Sequence, residues 1–166
     1  MEARGESVLI REFRDGDEAA FRKLNEEWIL RHFVLEPKDE EALADPRGSI
    51  LDAGGRIFFA VTEAGPVGCC ALLAMEPGEF EVAKMAVTES AQGLGVGRRL
   101  LTAVIEEARV AGVKRLYLET NRKLTPALRL YESCGFRHLA ADQITDSPYA
   151  RANVFMELWL QGSEGA

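Results

Sequence analysis

The segment Gln92-Gly-Leu-Gly-Val-Gly97 is where residue types and spacing first suggest chemistry in this 166-residue chain. Glycines at 93, 95 and 97 let the backbone turn tightly, and an apolar helical period begins at Val96. A glycine turn at a helix start presents several N–H groups, and the helix dipole adds to them, so the segment reads as a cradle for an anion such as a diphosphate. It also reads, more simply, as a connection between two elements. It is not the GxGxxG dinucleotide fingerprint, because the third glycine would stand at 98 or 100, where the chain has Arg98 and Leu100. Nor is it a P-loop, since no Gly-Lys-Ser/Thr follows. Other reactive residue types fall into no such pattern. Cys69 and Cys70 are adjacent in an apolar run and Cys134 stands alone, which draws neither a disulfide framework nor a CxxC knuckle and leaves three small core residues. His32 and His138 are far apart and in no HxxxH or HExxH spacing, so no metal site is expected.

The elements that must position this loop follow from periodicity and turn residues. Val8–Phe13 is a short strand candidate, closed by Asp15-Gly-Asp17, which supplies a turn and an N-cap. Phe21, Leu24, Trp28 and Arg31 then recur at helical spacing, predicting a helix from about Glu18 to Phe33. The acidic stretch from Glu36 to Asp45 reads as a loop with a short helix. Three strands, Arg56–Glu63, Val67–Met75 and Glu79–Val87, are separated by Ala64-Gly65-Pro66 and Glu76-Pro77-Gly78, so antiparallel hairpins are expected. Strict alternation along the third puts Val82, Lys84 and Ala86 on one face and Glu81, Ala83 and Met85 on the other. Leu100, Leu101, Val104, Ile105, Ala108 and Ala111 share one helical face, and Gly112 ends that helix. Lys114–Glu119 is a strand. Thr125 and Pro126 open a further helix as N-cap and first residue, Gly135 closes it, and Phe136–Ala140 and Val154–Leu160 are the last strands. The sum is an α/β fold with a mixed sheet, in which hairpins surround one strand–helix–strand crossover.

Composition bounds the function. The chain is 47% hydrophobic and 28% charged, with a mean hydropathy of −0.10 and no apolar run near the roughly 20 residues that a bilayer-crossing helix needs. Residues 1–160 read as one domain and 161–166 as a disordered tail. The first residues lack a secretory apolar stretch, so a cytoplasmic location and no membrane association are expected. The net charge of −7 argues against nucleic acid as partner. That charge is uneven: residues 1–91 carry −9, 92–137 carry +5 and 138–166 carry −3. The basic middle begins at the glycine loop, suiting an anionic ligand there and a cationic one against the acidic first half.

Gln92-x-x-Gly95-x-Gly97, after a strand ending Met85-Ala-Val87 and before Arg98-Arg99-Leu-Leu101, resembles the acyl-CoA-binding motif of the GNAT N-acetyltransferase family. Ala127-Leu-Arg-Leu-Tyr-Glu-Ser-Cys-Gly-Phe136 independently resembles the family's A-x-x-x-Y-x-x-x-G-F signature, at the expected distance and after the expected strand. The resemblance covers about residues 8–160. It implies a mostly antiparallel central sheet with helices on both faces, and a parallel pair, Glu79–Val87 and Lys114–Glu119, that splays to admit acetyl-CoA. One departure is that many members carry Asn seven residues before the tyrosine, where this chain has Leu124; Asn121 lies three residues earlier.

The resemblance further implies an acetyl transfer from acetyl-CoA to a primary amine of a small molecule or peptide, by direct attack in a ternary complex. It assigns the cofactor to Met85, Ala86 and Val87 on the open strand edge, to the loop Gln92, Gly93, Leu94, Gly95, Val96, Gly97, Arg98 and Arg99, and to Ala127 and Tyr131. Asn121 is a cofactor contact or a plain turn residue. Glu81 matches a general-base position of some members, with Glu79 competing for the role, and Tyr131 matches the acid that reprotonates the leaving thiolate. Trp28, Phe33 and the acidic loop Glu36–Asp45 are candidate substrate walls, although aromatic residues at helical spacing equally form core. Tyr149 and Arg151 form another candidate edge, with Arg151 suited to a substrate carboxylate. A non-catalytic acyl-CoA sensor, a protein acetyltransferase and a homodimer remain alternatives.

Overall fold

Runs of β-branched and aromatic residues between glycine turns become strands, and the computed structural model, which describes residues 7–144 and 146–160, assembles seven of them into one sheet. The expected tail at 161–166 lies outside the described residues. In chain order the elements are β1 (Leu9–Glu12), α1 (Glu18–His32), α2 (Pro37–Ala44), β2 (Arg56–Thr62), β3 (Gly65–Ala74), β4 (Glu79–Val87), α3 (Val96–Val110), β5 (Arg115–Thr120), α4 (Thr125–Ser133), β6 (Arg137–His138) and β7 (Val154–Trp159). The sheet order is β1-β2-β3-β4-β5-β7-β6, with β4 and β5 parallel and every other pair antiparallel. The α3 crossover explains that parallel pair, because two parallel neighbours need a long connection.

Two cores flank the sheet. On one face Leu100, Leu101, Val104 and Ala108 of α3 pack on Phe58, Leu72, Val82, Leu116 and Leu118, with Leu128 and Tyr131 of α4 against them. On the other, Phe21 and Leu24 of α1 and Leu43 of α2 pack on Ile57, Phe59, Cys69 and Ala71. Helix α3 stops as expected: Gly112 takes φ +82°, and Gly112 N–H and Val113 N–H bond the carbonyls of Arg109 and Ala108.

Three local expectations are corrected. The alternation along β4 fails, because Cys69 and Ala71 of β3 face Ala86 and Ala83, so one residue of β3 opposes both Lys84 and Met85. This bulge, with Lys84 at φ +52°, reverses the phase of the strand. Val82, Met85 and Val87 therefore share the α3 side, while Ala86 enters the α1 core. Helix α4 is capped by Leu124 without a side-chain bond, putting Thr125 and Pro126 both inside its first turn. Asp17 precedes α1 but gives its carboxylate to Arg11, at 2.7 Å, and to the Arg14 N–H, rather than to the helix.

Leu100 is fully buried where α3 meets the sheet. Leu100→Ala is expected to cost about 2–5 kcal/mol, read as a lower urea midpoint with an unchanged denaturant slope.

Candidate functional site

Strands β4 and β5 pair at three positions only: Glu79 with Arg115, Phe80 with Leu116, and Glu81 with Tyr117. Beyond Glu81 the two strands part. A cavity of about 600 Å³ opens there, bounded by the glycine loop at one end, α4 along one side, and α1 with residues 149–152 at the other end.

At the first end, Gly93 and Gly95 take φ +82° and +81°, a region that a β-carbon disfavours, and the turn sets the N-terminus of α3 against the cavity. Gln92 Nε2 donates to the Val87 carbonyl at 3.1 Å, clasping the loop to the end of β4. Gln92, Gly93, Gly95, Val96 and Gly97 line the cavity, as do Met85 and Val87. Other residues assigned here on sequence grounds are placed elsewhere. Leu94 is 65% exposed, Ala86 is buried in the α1 core, Arg98 bonds Ser133 Oγ at 3.0 Å, and Arg99 bonds the Val8 carbonyl at 3.2 Å.

Tyr131 and Ala127 come from α4, whose inward face also brings Leu130 to the cavity. The Tyr131 ring meets Phe136 edge-on at 6.0 Å, which fixes its direction. Burial raises its phenol pKa, so the hydroxyl keeps its proton. Asn121 is spent on the protein: its Nδ2 donates to the Arg151 carbonyl at 2.7 Å, and its Oδ1 accepts the Lys123 N–H at 2.8 Å. It shapes the turn that carries Leu124, also a wall residue, rather than offering a free amide.

At the far end Glu81 stands on the cavity wall, and burial, then the neighbouring Glu119, pushes its pKa up to about 7 while Lys84 and Lys38 pull the other way. Glu79 does not reach the cavity, being paired with Arg115 at 3.3 Å. Trp28, His32 and Phe33 form an aromatic wall, with ring centroids 5.0 Å apart for Trp28 and His32 and 6.3 Å for Trp28 and Phe33. Burial, then Arg31 and Lys123, lowers the His32 pKa, which favours the neutral ring. Tyr149 and Arg151 close the wall, but Arg151 is already engaged. Its Nη1 and Nη2 bond Asp39 at 2.8 and 2.7 Å, and it stacks on the Tyr149 ring. Asp39 also accepts from Lys84 Nζ at 2.8 Å, and Lys84 donates to the Tyr149 hydroxyl at 2.9 Å. Burial of the Asp39 carboxyl would raise its pKa, yet the bonds from Arg151 and Lys84 outweigh that and hold it at about 2.

Asp39, Lys84, Glu119 and His32 carry much of this end, and the sequence reading singled out none of them individually, Asp39 only as part of the acidic loop Glu36–Asp45. Two had a signal. Lys84 is the one lysine inside an otherwise apolar half-strand, and Asp39 follows Glu36-Pro37 where a capping box places its third residue.

With this geometry in view, the comparisons with known proteins agree with one another. The family model described as "Acetyltransferase (GNAT) family" matches residues 18–136. A mycothiol acetyltransferase of Thermomonospora curvata is 32% identical over 156 residues, covering 86% of this chain and 48% of its own length. An IAA acetyltransferase of Azospirillum brasilense is 36% identical over 104 residues, covering 60% of this chain and 65% of its own. The chain thus spans about half the length of the first relative and just under two-thirds of the second. Among solved structures, a GNAT-family acetyltransferase from Staphylococcus aureus superposes with a TM-score of 0.83 at 20% identity, over 93% of this chain and all of that one. A Bacillus subtilis acetyltransferase in complex with CoA superposes at 0.68 and 23% identity, over 93% and 100%. No helix among the described residues is long and apolar enough to cross a membrane. The splayed parallel pair, the glycine loop at the head of α3 and the family match over most of the chain place this protein in the GNAT acetyltransferase family.

Proposed function

We propose that this chain transfers an acetyl group from acetyl-CoA to a primary amine by direct attack, with Glu81 as base and Tyr131 as acid. The observation that carries the reading is one cavity that joins the N-terminus of α3, the open edge of β4, a buried carboxyl and a proton-bearing phenol. The relatives' printed names, all acetyltransferases, support it.

The residues fit acetyl-CoA. Gly93 and Gly95 adopt left-handed backbone angles at the head of α3, where helix N–H groups without intrahelical partners suit a diphosphate, and β4 beyond Glu81 has no strand partner on its β5 side. An extended amide arm would lie along that edge as a strand adds to a sheet. Bound there, acetyl-CoA supplies an acetyl thioester activated for attack. Tyr131 holds a proton for the departing sulfur, and its raised pKa keeps that proton in place until the sulfur carries charge.

An amine in water is almost wholly protonated at neutral pH, so the acceptor needs a base before it can attack. With a pKa of about 7, Glu81 is partly ionised at neutral pH and basic enough to take a proton. Burial raises that value most, Glu119 raises it further, and Lys84 and Lys38 lower it.

Activity is therefore expected to rise with pH through about 7, as Glu81 ionises. Glu81→Gln is expected to lower kcat by about 10²-fold or more and to flatten that limb of the profile; an unchanged profile in the variant would remove Glu81 from the role. The same raised pKa weakens the fold as pH rises past the ordinary carboxyl range, because the unfolded chain releases that proton sooner. Glu81→Gln should accordingly melt higher than the parent at pH 8, with the difference shrinking toward pH 4.

Tyr131→Phe should lower kcat by about 10²-fold with a nearly unchanged KM for acetyl-CoA, measured as thiol release with a panel of amines. CoA binding without turnover of any amine would instead support an acyl-CoA sensor. Gly95→Val forces a β-branched residue to φ +81° and should weaken CoA binding at least tenfold by calorimetry.

A further inference from the structure

The ionisable groups at the far end of the cavity differ in whether they have a partner of opposite charge. The lysine and the arginine that line the cavity, Lys84 and Arg151, are both taken. Lys84 and Arg151 converge on Asp39, whose side chain has no exposed surface, and Arg151 also lies 3.4 Å from Glu36. The Lys84 side chain is 5% exposed, and its ammonium also donates to Tyr149. Neither cation has a full charge left over for a ligand.

The carboxylates are in the opposite condition. Glu119 accepts from two neutral hydroxyls, Tyr117 at 2.8 Å and Ser147 at 2.5 Å. Those bonds orient the group without neutralising it. Strand register explains why it sits beside Glu81: Tyr117 is the partner of Glu81 across β4 and β5, and Glu119 lies two residues further on the same face, at the point where the strands part. Both glutamates line the cavity. Lys84, Arg151, Asp39 and Glu36 balance to zero, so Glu119, joined by Glu81 when ionised, sets the sign of the cavity lining at this end, with Lys123 over the Phe33 ring and Lys38 outside that lining. Trp28 adds a π-face, which favours a cation, whereas the Phe33 ring already carries Lys123 at 4.9 Å and Arg151 at 5.8 Å.

We infer that the acceptor is a cationic amine without a carboxylate, which Glu119 binds in its ammonium form while Asp39 withholds Lys84 and Arg151 from any anionic group of the substrate. The inference rests on the transferase reading above and narrows its substrate class. Glu119 is a binding residue, and Asp39 is a specificity-determining one that acts through the two cations it holds. Of the two protons the ammonium loses on becoming an amide, one goes to Glu81 before attack and one is released as the C–N bond forms, replacing the proton that Tyr131 gives to the departing sulfur; Glu119 stays ionised, and the acetylated nitrogen leaves uncharged.

Three probes of one chain length test this: pentylamine, cadaverine and 5-aminopentanoate, with initial rates measured for the full chain and acetyl-CoA. Cadaverine is expected to exceed 5-aminopentanoate in kcat/KM by at least about tenfold. Glu119→Gln, which keeps the side-chain length and a carbonyl for its hydroxyl partners, should shrink that ratio mainly through KM, with the pH limb retained but moved below 7 because the charge that raises the Glu81 pKa is gone. Asp39→Asn should move the ratio toward 5-aminopentanoate as Lys84 and Arg151 are released; the Glu119 variant decides the matter if Asp39→Asn does not fold. Equal or better use of 5-aminopentanoate by the parent, or a ratio unchanged in Glu119→Gln, would overturn the inference while leaving acetyl transfer to pentylamine intact. Failure of all three amines to react would overturn the transferase reading, and this inference with it.

Discussion

The parting of β4 from β5 after three paired residues is the constraint on which the rest of this structure depends. A continuous parallel ladder would close the sheet and leave no room for a ligand between those strands. Instead β4 stays in register with β3 to Val87 through a bulge, while β5 turns to follow β7 to Thr120. Each strand is held by its antiparallel neighbour, so neither needs the other beyond Glu81. The gap falls at the carboxyl ends of a parallel pair, where the helix following β4 also begins. An open strand edge and a helix N-terminus are thus delivered to the same cavity by one piece of topology.

The bulge at Lys84 has a second effect, which is electrostatic. By reversing the phase of β4 it turns Met85 and Val87 toward α3 and sends the lysine toward α2, where Asp39 waits. A buried carboxylate without partners would be costly, and so would a buried ammonium. Here three charged groups share one site: Asp39 accepts from Lys84, from both terminal nitrogens of Arg151 and from the Glu36 N–H. That cluster ties α2, β4 and the 149–151 segment together. The far end of the cavity is thereby assembled from three segments distant in sequence.

Much of the architecture was legible before any coordinates. Turn residues and periodicity located nearly every element within a residue or two, because glycine and proline punctuate the chain clearly and α3 has a clean apolar face. The Phe136–Ala140 strand was overestimated, since only Arg137 and His138 pair with β7 as a strand, Leu139 adding one N–H bond to the Phe155 carbonyl. Of the residues assigned to the site, Tyr131, Glu81, Met85 and the glycine loop meet in one cavity, whereas Glu79, Ala86, Leu94, Arg98 and Arg99 are used or exposed elsewhere. These differences in placement share a cause. Alternation and local spacing set where a side chain begins, but a bulge or a competing partner decides where it ends.

The sequence by itself determined the elements, their order, the glycine turn at the head of α3 and the family signature, because each is written in neighbouring residues. The segmental charge was legible as well, but its meaning was not. The −9 of residues 1–91 counts Asp39 and Glu36 among its acids, and only the tertiary structure spends both on Arg151, with Asp39 also holding Lys84, while Glu119 of the basic middle faces the cavity without an ion-pair partner among the described residues. Charge compensation is a matter of distances of a few ångströms between segments far apart in the chain, and no count along a sequence contains those distances.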